Sequence, residues 1–183
     1  MKKEEVYREM QKFIAGEPSI FIGEPTELSM PRPDSVFVAL VNSSNEILTT
    51  RRSSSIQNGG MWALPGGRQD PGETFMKTGC REVFEEIGLL IADMAENHGH
   101  VHVRSGRDHV IVIPWTPTKA NNECLTRLLN GSMVSTEVDA VKWRTWSEIT
   151  SMTGLHKSLE LFAIKLPMHS FNLFDLLESR PVL

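Results

Sequence analysis

The chain has 183 residues, 40% of them hydrophobic and 23% charged, with a formal net charge of −4. That length implies one domain with a sizeable hydrophobic core, and the composition is ordinary for a soluble globular protein. The acidic balance argues against a nucleic-acid polymer as partner, because no basic patch neutralises phosphates, whereas small phosphorylated ligands stay open because metal ions can neutralise them.

Two cysteines, Cys80 and Cys124, make no disulfide framework and point to a reducing compartment. The opening Met-Lys-Lys-Glu-Glu lacks the apolar segment of a signal peptide, and no run reaches membrane-spanning length. The expectation is a cytoplasmic protein with no membrane partner.

From the N-terminus, Val6, Met10, Phe13 and Ile14 recur at helical spacing, so 4–14 reads as a helix. The prolines of 21–33 suggest an extended connector. A β-rich run over 35–41, an Asn42-Ser43-Ser44-Asn45 turn and a second run over 46–50 predict a hairpin. Arg51 and Arg52 close its second strand, where they either meet substrate phosphates by bidentate hydrogen bonds or stand solvated. A Ser/Gly loop, 53–60, leads into Trp62.

Pro65-Gly66-Gly67 and Pro71-Gly72 then bracket a turn-rich loop, and Thr74 is placed as the N-cap of a helical run that ends at Gly88. Met76, Cys80, Val83 and Ile87 fall on one side of that helix as its apolar face, while Glu82, Glu85 and Glu86 gather on another. Two carboxylates about 5 Å apart at an effective dielectric near 20 repel by roughly 3 kcal/mol. These three also sit at the negative end of the helix dipole. A bound divalent cation reverses the sign of both effects, and such hard oxygen donors suit Mg²⁺ or Mn²⁺. The competing reading is a solvated acidic face.

Beyond the helix, 91–94 and 100–104 read as strands, and 108–115 as a clear one. His98, His100 and His102 alternate, so on a strand they share a face, which either binds a transition metal or lines the sheet and its cleft. The stretch 116–136, with a short amphipathic piece at 125–129, reads as an insertion. Val138 to Thr145 alternates as a sheet strand. Ser147 is the expected cap of a helix starting near Trp146, and 155–166 and 171–177 read as C-terminal helices. Their Phe162, Met168, Phe171 and Phe174 build either core or a homodimer interface.

Gly67, Glu73, Arg81, Glu82, Val83, Glu85, Glu86, Gly88 and Leu89 satisfy every fixed position of the pattern G-x5-E-x7-R-E-U-x-E-E-x-G-U, where U is a bulky aliphatic residue. On these residues the chain resembles the Nudix hydrolase family (MutT-like), and Trp62-Ala63-Leu64-Pro65-Gly66 looks like the usual lead-in to its box. Looser resemblance runs from about Ser35 to Ile149.

The resemblance implies an α/β fold of Nudix type, an α/β/α sandwich with a mixed sheet and extra N- and C-terminal helices. It sets out one domain over 1–183, with a helix and connector at 1–34, the Nudix core at 35–150 and C-terminal helices at 151–183. In such proteins the glutamates matching Glu82, Glu85 and Glu86 hold a metal together with the loop carbonyl matching Gly66, while the arginine matching Arg81 pairs with the glutamate matching Glu73 as structural support. A loop glutamate before the last strand, here Glu137, often orients the attacking water or completes the metal shell, and the alternative is a plain surface glutamate.

The implied activity is metal-dependent hydrolysis of a nucleoside diphosphate linked to another moiety, with Mg²⁺ or Mn²⁺ as cofactor and a small-molecule nucleotide as partner. Glu85, Glu82 and Glu137 are the candidates for the chemistry, and Glu85→Gln is expected to remove nearly all turnover with the fold intact. Nucleoside triphosphates and nucleotide sugars are the expected substrates. The lead-in spacing also resembles coenzyme A pyrophosphatases, although Ile56 and Leu64 depart from their pattern. Signatures of dinucleotide substrates are absent, since the single tyrosine is Tyr7, and the intact box differs from that of isopentenyl diphosphate isomerases. A non-catalytic nucleotide sensor on the same fold is the alternative from a different class.

Overall fold

The structure is a computed structural model that describes residues 20–21, 33–97, 100–132, 135–165 and 174. At its centre lies Ser35–Val41, where Val36 to Val41 are all buried. A strand apolar at every position, not at every second one, is covered on both faces. Val36, Val38 and Leu40 belong to one hydrophobic cluster, and Phe37, Ala39 and Val41 to another.

Numbered along the chain, the strands are β1 (Ile20–Phe21), β2 (Ser35–Val41), β3 (Ile47–Arg52), β4 (Trp62–Ala63), β5 (Gly66–Arg68), β6 (Val101–Ser105), β7 (Asp108–Pro114) and β8 (Val138–Arg144). They form one mixed sheet in the order β1-β6-β7-β2-β3-β4, with β5 paired to β2 and β8 to β3. β2 and β7 run parallel in unbroken register from Ser35↔Asp108 to Val41↔Pro114, and a parallel pair needs a long crossover. The chain between them supplies it, including the helix that carries the carboxylates. The β2–β3 hairpin closes on Asn42, whose side-chain oxygen accepts from the backbone N–H of Ser44 and Glu46.

Helices α1 (Phe75–Ile87), α2 (Ala92–Asn97), α3 (Lys119–Leu129), α4 (Trp146–Ser151) and α5 (Lys157–Lys165) complete the described elements. Phe75, Val83 and Ile87 of α1, with Leu125 and Leu128 of α3, share a cluster with Val36, Val38 and Leu40. Ile149 of α4 and Leu159 and Phe162 of α5 join Phe37, Ala39 and Val41. Helices thus cover both faces of the sheet, the α/β/α sandwich that the resemblance implies. Among the described residues, no helix is long and apolar enough to cross a membrane.

Several expectations are corrected. The segment 91–94 is not a strand: Ile91, Met94 and Ala95 are buried at i, i+3 and i+4, and the chain forms α2. The supposed insertion contains the regular helix α3, capped by Thr118, whose side chain accepts from Asn121 N–H. Asn121 in turn holds both backbone polar groups of Leu90, at 2.7 and 3.1 Å. The cap of α4 is Thr145, not Ser147, because only Thr145 completes a capping box with Glu148. Phe162 and Phe174 are core residues. The expected helix over 4–14, most of the connector, His98, Met168 and Phe171 lie outside the described residues.

Candidate active site

The loop and α1 are assembled by local chemistry. The Thr74 side chain accepts from Lys77 N–H at the helix start, and Gly88, at φ 71°, closes the other end by donating to Phe84 C=O. Close approach to the sheet runs through Gly79, where a Cβ would lie 2.8 Å from Val38 Cγ2. The buried stripe is therefore Phe75, Gly79, Val83, Glu86 and Ile87, while Met76 and Cys80, expected on the apolar face, are only half-buried. The three box glutamates do not share one face: Glu86 turns inward, and Glu85 points out with 57% of its side chain exposed.

Arg81 organises the carboxylates. Its Nε and Nη2 grip Glu73 (3.1 Å to Oε1, 3.0 Å to Oε2), its Nη1 reaches Glu82 at 2.8 Å and Glu85 at 3.1 Å, and Nη2 also donates to Arg68 C=O. Glu73 further accepts from the Thr78 hydroxyl and Asp70 N–H. Its bonds to Arg81 hold the Glu73 carboxyl below the usual carboxylate range. The loop is thereby clamped to the helix.

Glu82 and Glu86 sit where the loop backbone is bare. A Cβ on Gly67 would stand 2.5 Å from the Glu82 carboxyl carbon, so only glycine leaves that carboxylate its place. Glu86 Oε2 accepts from Gly66 N–H at 3.2 Å. Burial pushes Glu82 upward, and it drives Glu86 to about 8, with the negative charge of Glu137 adding to both. Burial outweighs the positive charge that Arg81 lends Glu82 and Arg52 lends Glu86, a cost that a bound cation would relieve.

Glu137 is joined to the site by its backbone: its C=O accepts from Ser53 N–H at 2.8 Å, which ties the loop before β8 to the loop after β3. Arg52 lowers the Glu86 titration and raises the cost of protonating His156, while its Nε donates to Gln57 C=O. Arg51 is differently engaged. It pairs with Asp139 at 2.6 Å and lies 5.9 Å from the Trp62 ring centroid, so the structure separates two arginines that the sequence grouped. His102 does not face a cleft either: it is buried, bonded to His109 at 2.7 Å, with Phe75 stacked on His109.

As a test of fit for Mg²⁺ or Mn²⁺, the donor chemistry suits a hard cation, and the bare Gly66-Gly67 backbone lies against the acidic side chains. Among the described residues, no group of three or more His, Cys, Asp or Glu side chains is gathered in a metal-holding arrangement. Glu86 turns inward, Glu85 points outward, and Arg81 takes one oxygen each from Glu82 and Glu85. A cation would replace those two bonds, and Arg81 would keep Glu73 and the Arg68 carbonyl.

A family model described as the NUDIX domain matches residues 31–163. The chain belongs to the Nudix hydrolase family. Over 70 residues it is 43% identical to Nudix hydrolase 3 of Caenorhabditis elegans, covering 37% of this chain and 29% of that protein. It is also 40% identical over 55 residues to 8-oxo-dGDP phosphatase NUDT18 of Mus musculus, covering 30% of this chain and 17% of that protein. The matches thus span less than a third of the length of either relative. A solved structure, DR0079 from Deinococcus radiodurans, has the same fold with a TM-score of 0.51 at 18% identity, covering 75% of this chain and 85% of that one.

Two residues of this Nudix chain carried no signal in the sequence. His156 and Ser158 lie some ninety residues beyond the loop, in no recognisable motif, yet the fold packs both against its backbone.

Proposed function

We propose that this chain is a metal-dependent pyrophosphohydrolase acting on a nucleoside diphosphate linked to a further group, with nucleoside triphosphates or nucleotide sugars as substrates. The observation that carries the reading is the desolvated pair Glu82 and Glu86, seated against the bare Gly66-Gly67 backbone with Glu137 alongside. The name of the mouse relative, an 8-oxo-dGDP phosphatase, supports the nucleotide class.

Glu82, Glu85, Glu86 and the Gly66 carbonyl would hold Mg²⁺ or Mn²⁺. When bound, the cation supplies charge relief on the diphosphate oxygens and lowers the pKa of water. The chain's residues do the rest. Exposed Glu85, or Glu82 or Glu137, takes the proton of the attacking water; the water oxygen bonds to the attacked phosphorus as its bond to the bridging oxygen breaks, and the other phosphorylated product leaves with the bridging oxygen. Arg52, beside Glu86, meets the substrate phosphates. Arg51 serves the β3–β8 edge through Asp139. Glu73 and Arg81 are supports.

One observation favours a second reading. Arg81 already occupies oxygens of Glu82 and Glu85, as a nucleotide-binding sensor without turnover would allow. Product release from a panel of nucleoside triphosphates, nucleotide sugars and coenzyme A, with and without Mg²⁺, separates the two. Cation-dependent release of a monophosphate product is expected, and tight binding with no release from any compound would overturn the hydrolase reading.

A further inference from the structure

On the far side of the sheet from α1, the first turn of α5 reaches the loop that carries Gly66 and Gly67. Leu64 N–H donates to Ser158 Oγ at 3.0 Å, and Ser158 is fully buried. His156 caps α5: its C=O accepts from Leu159 and Glu160 N–H, and its own N–H donates to Trp62 C=O at 2.8 Å. The His156 ring faces Ser158, with Nδ1 3.1 Å from Oγ and 3.4 Å from Ser158 N–H.

These contacts fix the direction of each bond. Ser158 N–H can only donate, so Nδ1 is an acceptor and the imidazole carries its hydrogen on Nε2. Ser158 Oγ therefore donates to Nδ1 while accepting from Leu64. Next along the backbone, Pro65 C=O accepts from Val38 N–H, and Gly66 N–H donates to Glu86. A continuous run of buried bonds leads from the cap of α5 to the buried carboxylate.

We propose that Ser158 is a positioning residue for the candidate site: its hydroxyl, oriented by the His156 ring, fixes the Leu64–Gly66 backbone and with it the place of Gly66 and Glu86. This rests on the hydrolase reading, but the positioning itself does not need turnover to be observed. Ser158 touches no reacting atom and acts through the loop. Around it the stretch is also held by β4 pairing with β3, by Pro65 C=O on Val38 N–H and by β5 pairing with β2, and Ser158 supplies the side-chain bond to Leu64 N–H.

The test is Ser158→Ala, read by amide hydrogen exchange at Leu64 and Gly66 and by steady-state kinetics on the best nucleotide of the panel. We expect exchange at both amides to speed up by about tenfold or more, and kcat to fall about tenfold with KM within twofold. Should Ser158→Ala fail to fold, His156→Phe keeps the ring against Phe37 and removes the acceptor, with the same signs at about threefold. Unchanged exchange at Leu64 and Gly66, or faster exchange with kcat unaltered, would overturn the proposal. A wild-type chain silent on the whole panel would sink the hydrolase reading, while exchange would still decide whether Ser158 holds the loop.

Discussion

The end of α1 and the start of α4 are built on opposite rules. At α4, the Thr145 hydroxyl accepts from Glu148 N–H and the Glu148 carboxylate accepts from Thr145 N–H, with the acid at the positive end of the dipole. At the end of α1 stand three glutamates, with no basic residue in the last turn. One helix terminus lowers the energy of its charges and the other raises it. Under the proposed function something else uses the charge of the second kind of terminus, and the contrast then divides residues that hold the molecule together from residues proposed for the chemistry.

Substitutions on the two sides should therefore differ in kind. Glu85→Gln changes one atom of an exposed side chain and should lower turnover by about a hundredfold or more, with a melting temperature within about 2 °C of wild type. Parallel kinetics and calorimetry check it, and near-normal turnover would remove α1 from the functional side of the contrast.

Arg81→Ala strips a partner from Glu73, Glu82 and Glu85 at once. Loss of one member of a buried ion pair costs 3–5 kcal/mol, and the partial exposure of this network reduces that to roughly 2 kcal/mol in urea unfolding. Excess Mg²⁺ should recover part of the loss, because a cation can take the place of the guanidinium on Glu82 and Glu85. No recovery would mean that these carboxylates are structural only.

Acidification tests the buried histidines, His102 beside Phe75 of α1 and His156 at the start of α5. Burial lowers His102 to about 3 and His156 to about 4. Below about pH 6.5 the unfolded chain takes up protons at both rings and the folded chain does not, so stability falls as pH drops towards 4, on the order of 1 kcal/mol per pH unit for each histidine. The raised Glu86 carboxyl acts with opposite sign between about 4.5 and about 8, and Glu82 is raised by burial as well, so the measurement belongs in a Glu82→Gln, Glu86→Gln background. A flat stability profile there would refute the neutral state of the buried His102 and His156 rings.

The smallest effect is expected at α4, where Thr145→Ala should cost roughly 1 kcal/mol and leave kcat and KM unchanged. A kinetic change in that variant would erase the division between the two termini.

Much of this was legible because the signals are local. The nine fixed positions from Gly67 to Leu89 announced loop, helix and carboxylates, and the apolar run of β2 announced a strand. Where reading failed, burial decided against propensity. The run Ile91 to Met94 is apolar enough for a strand, but its burial falls at helical spacing. α3 hid behind a polar sequence: Leu125, Leu128 and Asn121 are its buried residues, with Cys124 partly buried beside them. Arg51 and Arg52 are adjacent in sequence, but the register of β3 against β8 shifts between them, and they engage different partners, Asp139 and the Gln57 carbonyl.

The sequence by itself determined the family, the acidic helix end and the glycines that bare the loop, since each depends on residue type at short, fixed spacing. Only the tertiary structure decided that Glu86 is buried while Glu85 is exposed, that Arg81 binds three glutamates, and that Ser158 meets Leu64. Those facts depend on which surfaces are removed from water when distant segments pack, and spacing along the chain does not encode them.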